Sequence, residues 1–343
     1  MSEVLVKVEN LKKWFPVRRN LLQVLKNEHK YVKAVDGISF EIRKGEIFGL
    51  IGESGCGKST TGRMLMKLID PSHGKMIFNG EDITNANAER VEKYRTEVQM
   101  IFQDPYASMN PRFKLKDVLE EPLIIHKVGN SRAERDAMIK KALDEVRLMP
   151  AEEFMGRYPH MLSGGQRQRA ATARSLILNP KLMVADEPVS MIDLSTRAEI
   201  LHMMKTVQRE LGLTYLYITH DLSTARYFTD RIAVMYLGRI VEMGNPKDII
   251  DNSLHPYTKA LISAVCEPKS GKVNKLKEVP IKGEIPSAQN IPKGCRFHPR
   301  CVYAKPECWE QKEPELEDYS SGHSVACRRY KEILKEKNKN KNK

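Results

Sequence analysis

Short unbroken apolar runs alternate with longer amphipathic stretches over residues 1 to 250. KLMVAD (181–186) and TYLYITH (214–220) are apolar at nearly every position, which predicts strands buried on both faces. AERDAMIKKALDEVRL (133–148) and STRAEILHMMKTVQREL (195–211) instead repeat apolar residues at three- and four-residue intervals, the period of a helix with one buried side. Buried strands separated by helices imply a largely parallel sheet with crossovers, an α/β fold. The first 48 residues differ, because VLVKVENLKKWF, KAVDGISFEI and GEIFGLI are strand-like with few helical signals. They predict a small antiparallel layer beside the core.

The pattern changes after residue 253. Pro256, Pro268, Pro280, Pro286, Pro292, Pro299, Pro306 and Pro314 arrive together with four cysteines, and prolines at that density argue against long elements. Residues 254–330 therefore read as a small loop-rich module whose apolar content is poor for a core of its own and which needs a covalent or metal tie. The last stretch, KEILKEKNKNKNK (331–343), reads as a basic disordered tail.

Charge narrows the function classes. The formal net charge is +13, but the tail alone contributes six Lys against two Glu, and the body shows no aromatic-basic stripe. Nucleic acid is not the expected partner. No run approaches the ~18 apolar residues of a membrane helix, and Glu3 and Lys7 fall where a signal peptide needs an apolar segment. The expectation is a cytosolic chain that meets membranes only through another subunit. Cys56 and Cys266 stand apart from Cys295, Cys301, Cys308 and Cys327, which is no secreted disulfide framework. Four clustered thiols suit zinc or a cubane iron-sulfur cluster, and the absence of short C-x2-4-C pairs favours the larger group.

Three stretches carry chemistry. IFGLIGESGCGKSTTGRML (47–65) is a strand, a glycine loop and a helix start. Its glycines let the backbone curl around phosphates, Lys58 can reach the β and γ oxygens, and the Ser59 hydroxyl can ligate Mg²⁺. Cys56 fills a variable slot as a small residue. PKLMVADEP ends a strand in Asp186, suited to bind Mg²⁺ through water, and Glu187, suited to orient or deprotonate an attacking water. MLSGGQRQRA (161–170) sets a Ser-Gly-Gly turn before a helix-compatible stretch, and such a helix start favours an anion.

GESGCGKST, the glutamine of IFQDP, LSGGQ, LMVADEP, SMID and the histidine of ITHD occur in the order found in ATP-binding-cassette ATPases, which residues 1–253 resemble. The resemblance implies a P-loop NTPase with a RecA-like parallel sheet, an antiparallel β subdomain and a helical signature subdomain. It implies ATP held by Gly52, Ser54, Gly55, Cys56, Gly57, Lys58, Ser59 and Thr60, and Mg²⁺ held by Ser59, Gln103 and Asp186. Glu187, His220 and Gln103 are the implied catalytic residues. In such enzymes two cassettes pair head to tail, so Ser163, Gly164, Gly165 and Gln166 would cap ATP bound to the partner, with Asp193 linking the two sites. Phe15 is the expected adenine platform, with Trp14 or Tyr31 as alternatives because LLQVLKNEHKYVK lengthens the loop between. The stretch Ser190, Met191, Ile192, Asp193 departs from the common small Ala followed by Leu, which leaves close packing across the seam in doubt.

HPYTKALISAV and GCRFHPRC, with Cys308 and Cys327, are similar to the C-terminal extension of dipeptide and oligopeptide permease ATPases. That likeness implies a [4Fe-4S] cluster on Cys295, Cys301, Cys308 and Cys327, with Zn²⁺ as the alternative; His298 and His323 are expected as solvated loop residues. The implied protein is an ATP-hydrolysing subunit at the cytoplasmic face of the cell membrane, powering import of di- or oligopeptides. Its implied partners are a homologous second cassette, different or identical, two transmembrane permease subunits and an extracytoplasmic substrate-binding protein. Oligosaccharides or nickel chelates are the alternative cargo, and a soluble ATPase acting on nucleic acid the remoter one.

Overall fold

The computed structural model describes residues 3–17, 30–104, 109–264 and 281–341. The loop at 21–29, Cys266 and the residues after Asp104 in the IFQDP stretch lie outside the described residues. Two sheets organise the rest. Strands β1 (Val4–Pro16), β2 (Tyr31–Arg43), β4 (His73–Phe78) and β5 (Glu81–Asp82) form an antiparallel sheet in the order β2-β1-β4-β5. Strands β3 (Ile47–Ile51), β6 (Val98–Ile101), β7 (Leu182–Asp186), β8 (Thr214–Thr219), β9 (Arg231–Tyr236), β10 (Arg239–Gly244), β11 (Glu317–Ser320) and β12 (His323–Val325) form the main sheet, in the order β11-β12-β10-β9-β3-β8-β7-β6.

The stretch β9-β3-β8-β7-β6 is parallel throughout. Both apolar runs singled out in the sequence, 182–186 and 214–219, are buried at every position. GEIFGLI requires a correction: β3 is no part of the antiparallel layer but the middle of the parallel sheet, fully buried from Ile47 to Ile51. Its unbroken apolar run is the mark of a strand covered on both faces. The antiparallel layer lies against this core, with Phe40 of β2 stacked on Phe48 of β3 at 5.2 Å between ring centres.

Helices Leu115–Ile125, Arg132–Glu145, Ala151–Met155 and Gly164–Leu176 form the helical part. Leu119, Leu123, Ile139, Leu143, Phe154 and Leu176 bury one another in a single apolar cluster. The helix expected at 195–211 runs from Leu194 to Leu211, capped at its start by the Asp193 carboxylate and ended by Gly212 in the left-handed conformation.

The C-terminal residues, expected to be too poor in apolar side chains for a core of their own, pack onto the cassette. Strands β11 and β12 extend the main sheet beyond β10, and Phe297 packs against Tyr236 and Tyr257 in the cluster formed by β9 and β10 residues. The segment borrows the cassette's core instead of building one. Two further corrections follow. His323 is 2% exposed, its Nε2 2.8 Å from the Glu242 carboxylate, and His298 is half-buried with Nδ1 2.8 Å from the Cys295 carbonyl oxygen. Tyr330–Lys341 is helical where a disordered tail was expected. The apolar contacts of its first turn explain this: Tyr330 and Ile333 are buried, and Tyr330 packs with Leu254 and Val325.

Candidate nucleotide site

The motifs are distant in sequence but converge because each follows the carboxyl end of a parallel strand. The phosphate loop leaves β3, Gln103 follows β6, Asp186 and Glu187 end β7, and His220 follows β8. Adjacent strands in parallel register bring these ends to one edge of the sheet, where ligands of open α/β folds bind.

The loop itself runs from Gly52 to Lys58 and opens the helix Lys58–Leu65. Gly57 has φ +112°, and a Cβ there would stand 2.2 Å from the Ala34 carbonyl oxygen. Only glycine fits this position. Lys58 is buried and donates to the carbonyls of Gly52 and Glu53 at 2.8 and 3.0 Å, which holds its ammonium inside the loop. Ser54, Gly55 and Thr60 line the same turn and helix start. Burial pushes the Cys56 thiol up, with the Lys58 charge only partly offsetting it, so it is a protonated filler.

The Ser59 hydroxyl donates to Asp186 at 3.1 Å. Burial raises the Asp186 carboxyl, the Glu187 charge adds to this, and Ser59, Lys58 and Arg63 oppose it. A carboxylate under that strain beside a hydroxyl is a donor set for a hard cation. Glu187 stands next to it with φ +49°, in the left-handed region, a conformation that costs about 1–3 kcal/mol for a non-glycine residue. Its amide donates to the Ile218 carbonyl at 2.9 Å, and its own carbonyl accepts from Ser190. The carboxylate accepts from Gln103 Nε2 at 3.1 Å and lies 3.0 Å from His220 Nδ1. The three expected catalytic side chains thus form one hydrogen-bonded group.

The signature turn is a mutual cap. Ser163 Oγ accepts from the Gln166 amide at 3.3 Å, and Gln166 Oε1 accepts from the Ser163 amide at 3.0 Å. Ser163 and Gly164 are exposed. Gly165 is buried, and a Cβ there would meet Thr196 Cγ2 at 2.5 Å. The Asp193 carboxylate accepts from the Ser195 hydroxyl and the Thr196 amide, which lower its pKa to about 2. Met191 and Leu194 beside it are exposed.

Phe15 is 38% exposed, with Lys13 Nζ 5.3 Å from its ring centre. Trp14 is held by its indole N–H, which donates to Asp36 at 2.9 Å, and Tyr31 is as exposed as Phe15.

Sequence reasoning missed three residues around the loop. The Tyr257 hydroxyl accepts from the Glu53 amide at 2.9 Å, and Arg300 grips the Glu53 carboxylate with two bonds of 2.8 and 3.0 Å. The HPYT stretch is a mark of resemblance in the sequence, and nothing local in it signals that contact. Cys295, Cys301, Cys308 and Cys327 line one cavity of about 20 Å³. Burial, and the other thiols nearby, push Cys295 and Cys327 up to about 12. Among the described residues no three His, Cys, Asp or Glu side chains could hold one metal ion.

This fold, with its phosphate loop, acidic pair and signature turn, defines an ATP-binding cassette. Residues 35–190 match the family model for the ABC transporter, and residues 241–308 match that for the oligopeptide/dipeptide transporter C-terminal region. The chain belongs to the ATP-binding proteins of the oligopeptide/dipeptide ABC transporter family, an ATPase family. The oligopeptide transport ATP-binding protein AppF of Bacillus subtilis is 46% identical, over 96% of this chain and 98% of its own. The dipeptide transport ATP-binding protein DppF of Haemophilus influenzae is 44% identical over 92% of this chain and 94% of its own. Among solved structures, the ATP-binding cassette MJ0796, in a dimeric post-hydrolysis state bound to ADP and Pi, superposes with TM-score 0.60 at 29% identity. The match covers 71% of this chain and 99% of that one. CbiO1 of Clostridium perfringens, part of the ABC transporter complex CbiONQ, gives TM-score 0.62 at 26% identity over 73% of this chain and 91% of its own. No described helix is long and apolar enough to cross a membrane.

Proposed function

We propose that this chain hydrolyses ATP to power import of di- or oligopeptides, as a peripheral subunit on the cytoplasmic face of a membrane transporter. The observation that carries the chemistry is the Gln103–Glu187–His220 group beside Asp186 and Ser59 at the mouth of the phosphate loop. The names of the relatives carry the cargo class.

Lys58 and backbone amides of the loop would bind the β and γ phosphates, while Ser59, Asp186 and Gln103 would hold Mg²⁺, which would neutralise phosphate charge. Glu187 accepts a proton from the attacking water, and His220, on the far oxygen of the same carboxylate, contacts the γ-phosphate and reports its presence. The exposed Ser163 hydroxyl and Gly164 amide face outward, as a cap for a nucleotide on a second, homologous cassette must. The dimeric form of MJ0796 supports that pairing. Gln103 relays closure to two permease subunits, and an extracytoplasmic receptor delivers the peptide.

Cys295, Cys301, Cys308 and Cys327 hold a [4Fe-4S] cluster that ties the C-terminal segment together. What supports the reading is that all four thiols line one shared cavity. Four iron and four sulfide per chain after anaerobic purification, lost in Cys301→Ser, is the expected result; stoichiometric zinc would refute it.

Reconstitution with its permease subunits and receptor tests the whole reading. ATP hydrolysis should rise severalfold on adding di- or oligopeptide. Hydrolysis indifferent to peptide, or salt-sensitive association with RNA instead of membranes, would overturn it.

A further inference from the structure

The phosphate loop contains an acidic residue that the phosphate chemistry does not explain. Glu53 follows Gly52 directly, and its carboxylate would add a negative charge at the rim of a site built for a polyanion. Its backbone and side chain are all engaged. The carbonyl accepts from Lys58 Nζ at 3.0 Å and from the Cys56 amide at 3.3 Å, so it belongs to the inner turn of the loop. The amide donates to the Tyr257 hydroxyl, and the carboxylate takes the paired bonds from Arg300.

Both partners come from the C-terminal region, 204 and 247 positions away, and both are almost wholly buried, at 1% and 4% exposure. Arg300 is fixed in turn: its guanidinium lies 5.8 Å from the ring centres of both Phe297 and Tyr236. A planar guanidinium held beside two aromatic rings and bonded through two nitrogens fixes the direction of a carboxylate, which a lysine cannot do.

We propose that Arg300 is a positioning residue of the nucleotide site. It turns the Glu53 carboxylate away from the bound phosphates and cancels its charge, while Tyr257 anchors the same residue by its amide. The C-terminal segment thereby acts on ATP affinity without touching ATP. The inference rests on the nucleotide site proposed above and adds a role for residues outside it.

The test is equilibrium binding of ATP, ADP and AMP to the full-length chain, with steady-state hydrolysis in the assembled transporter. Arg300→Met should weaken ATP binding about tenfold and leave kcat within twofold. AMP, which brings no β or γ phosphate to the loop, should lose little. Glu53→Gln should bind near wild type, and Arg300→Met combined with Glu53→Gln should recover most of the lost affinity, since the repelling charge is then gone. A general packing defect would give neither the dependence on phosphate number nor the rescue. Unchanged ATP affinity in Arg300→Met, or equal weakening of ATP and AMP without rescue, overturns the proposal. If Arg300→Met does not fold, Arg300→Lys decides: about threefold weaker ATP binding supports the role, and wild-type affinity removes it. Wild-type chain that binds no ATP would instead bring down the nucleotide site itself.

Discussion

Replacing Glu187 with glutamine separates binding from chemistry. The substitution keeps the side chain's length and its place between Gln103 at 3.1 Å and His220 at 3.0 Å, because an amide still offers one acceptor and one donor. It also adds no backbone strain, since the φ of +49° is held by the Ile218 and Ser190 contacts and is no worse for glutamine than for glutamate. What disappears is the negative charge proposed to accept the water's proton. A positioned general base is worth roughly 10²- to 10⁴-fold in rate, which at 1.36 kcal/mol per decade is about 3–5 kcal/mol of barrier. The neighbouring Asp186 gains, because the Glu187 charge contributes to holding its carboxyl up. Cation and nucleotide binding should therefore be kept or tightened. In the assembled transporter, phosphate release should fall at least a hundredfold while ATP binds within threefold of wild type. Hydrolysis within tenfold of wild type would show that Glu187 is not the base, and lost ATP binding would show that the site depends on it structurally.

Three further outcomes follow from single contacts. Ser163→Ala removes the N-cap of its helix, at a cost of about 1 kcal/mol, yet the isolated chain should bind ATP normally while hydrolysis in the paired assembly falls more than tenfold; equal loss in both would refute a cap that acts on the partner. Phe15→Ala should weaken ATP binding roughly tenfold, from a stacking contribution of ~1–3 kcal/mol per base, measured by titration against Tyr31→Ala as control. Arg296 is buried between Asp36 and Glu313, at 2.5 and 2.6 Å, so Arg296→Met should cost about 3–5 kcal/mol in denaturant unfolding at neutral pH. Burial raises the Asp36 carboxyl, but the Arg296 bond and charge, with Trp14 and Lys33, bring it below the ordinary value. A lowered carboxylate stabilises above its unfolded pKa and loses that contribution as pH falls through the folded one. The stability gap between wild type and variant should accordingly narrow below about pH 4, and a gap constant with pH would refute the ion pair as its source.

The cassette fold was legible because its determinants are local. A glycine loop between an apolar strand and a helix, or an acidic pair ending a buried run, specifies its own backbone, and parallel pairing then gathers such ends without further instruction. GEIFGLI shows the limit of that logic: its unbroken apolar run marks two covered faces, yet nothing in it names β8 and β9 as neighbours, and the expected antiparallel placement fails. The C-terminal part was illegible for the opposite reason. Arg296 meets Asp36 across 260 positions and Arg300 meets Glu53 across 247, and an arginine next to a proline or a cysteine carries no mark of a carboxylate so far away. Composition misled at the tail for a related cause. Its Lys and Asn content suits a solvated coil, yet Tyr330 packs against Leu254 and Val325 and Ile333 is buried three residues on, which seats one helical turn from which the helix continues to Lys341. The buried Glu242 shows how closely this segment is joined to the cassette. Its carboxylate accepts from the amides of Leu254 and His255 and pairs with His323, so one side chain of β10 fixes both the start of the helix carrying Tyr257 and the neighbouring strand β12. A segment fastened at Glu242, Asp36 and Glu53 is no appendage, and a change in its packing reaches the phosphate loop through side chains already in contact.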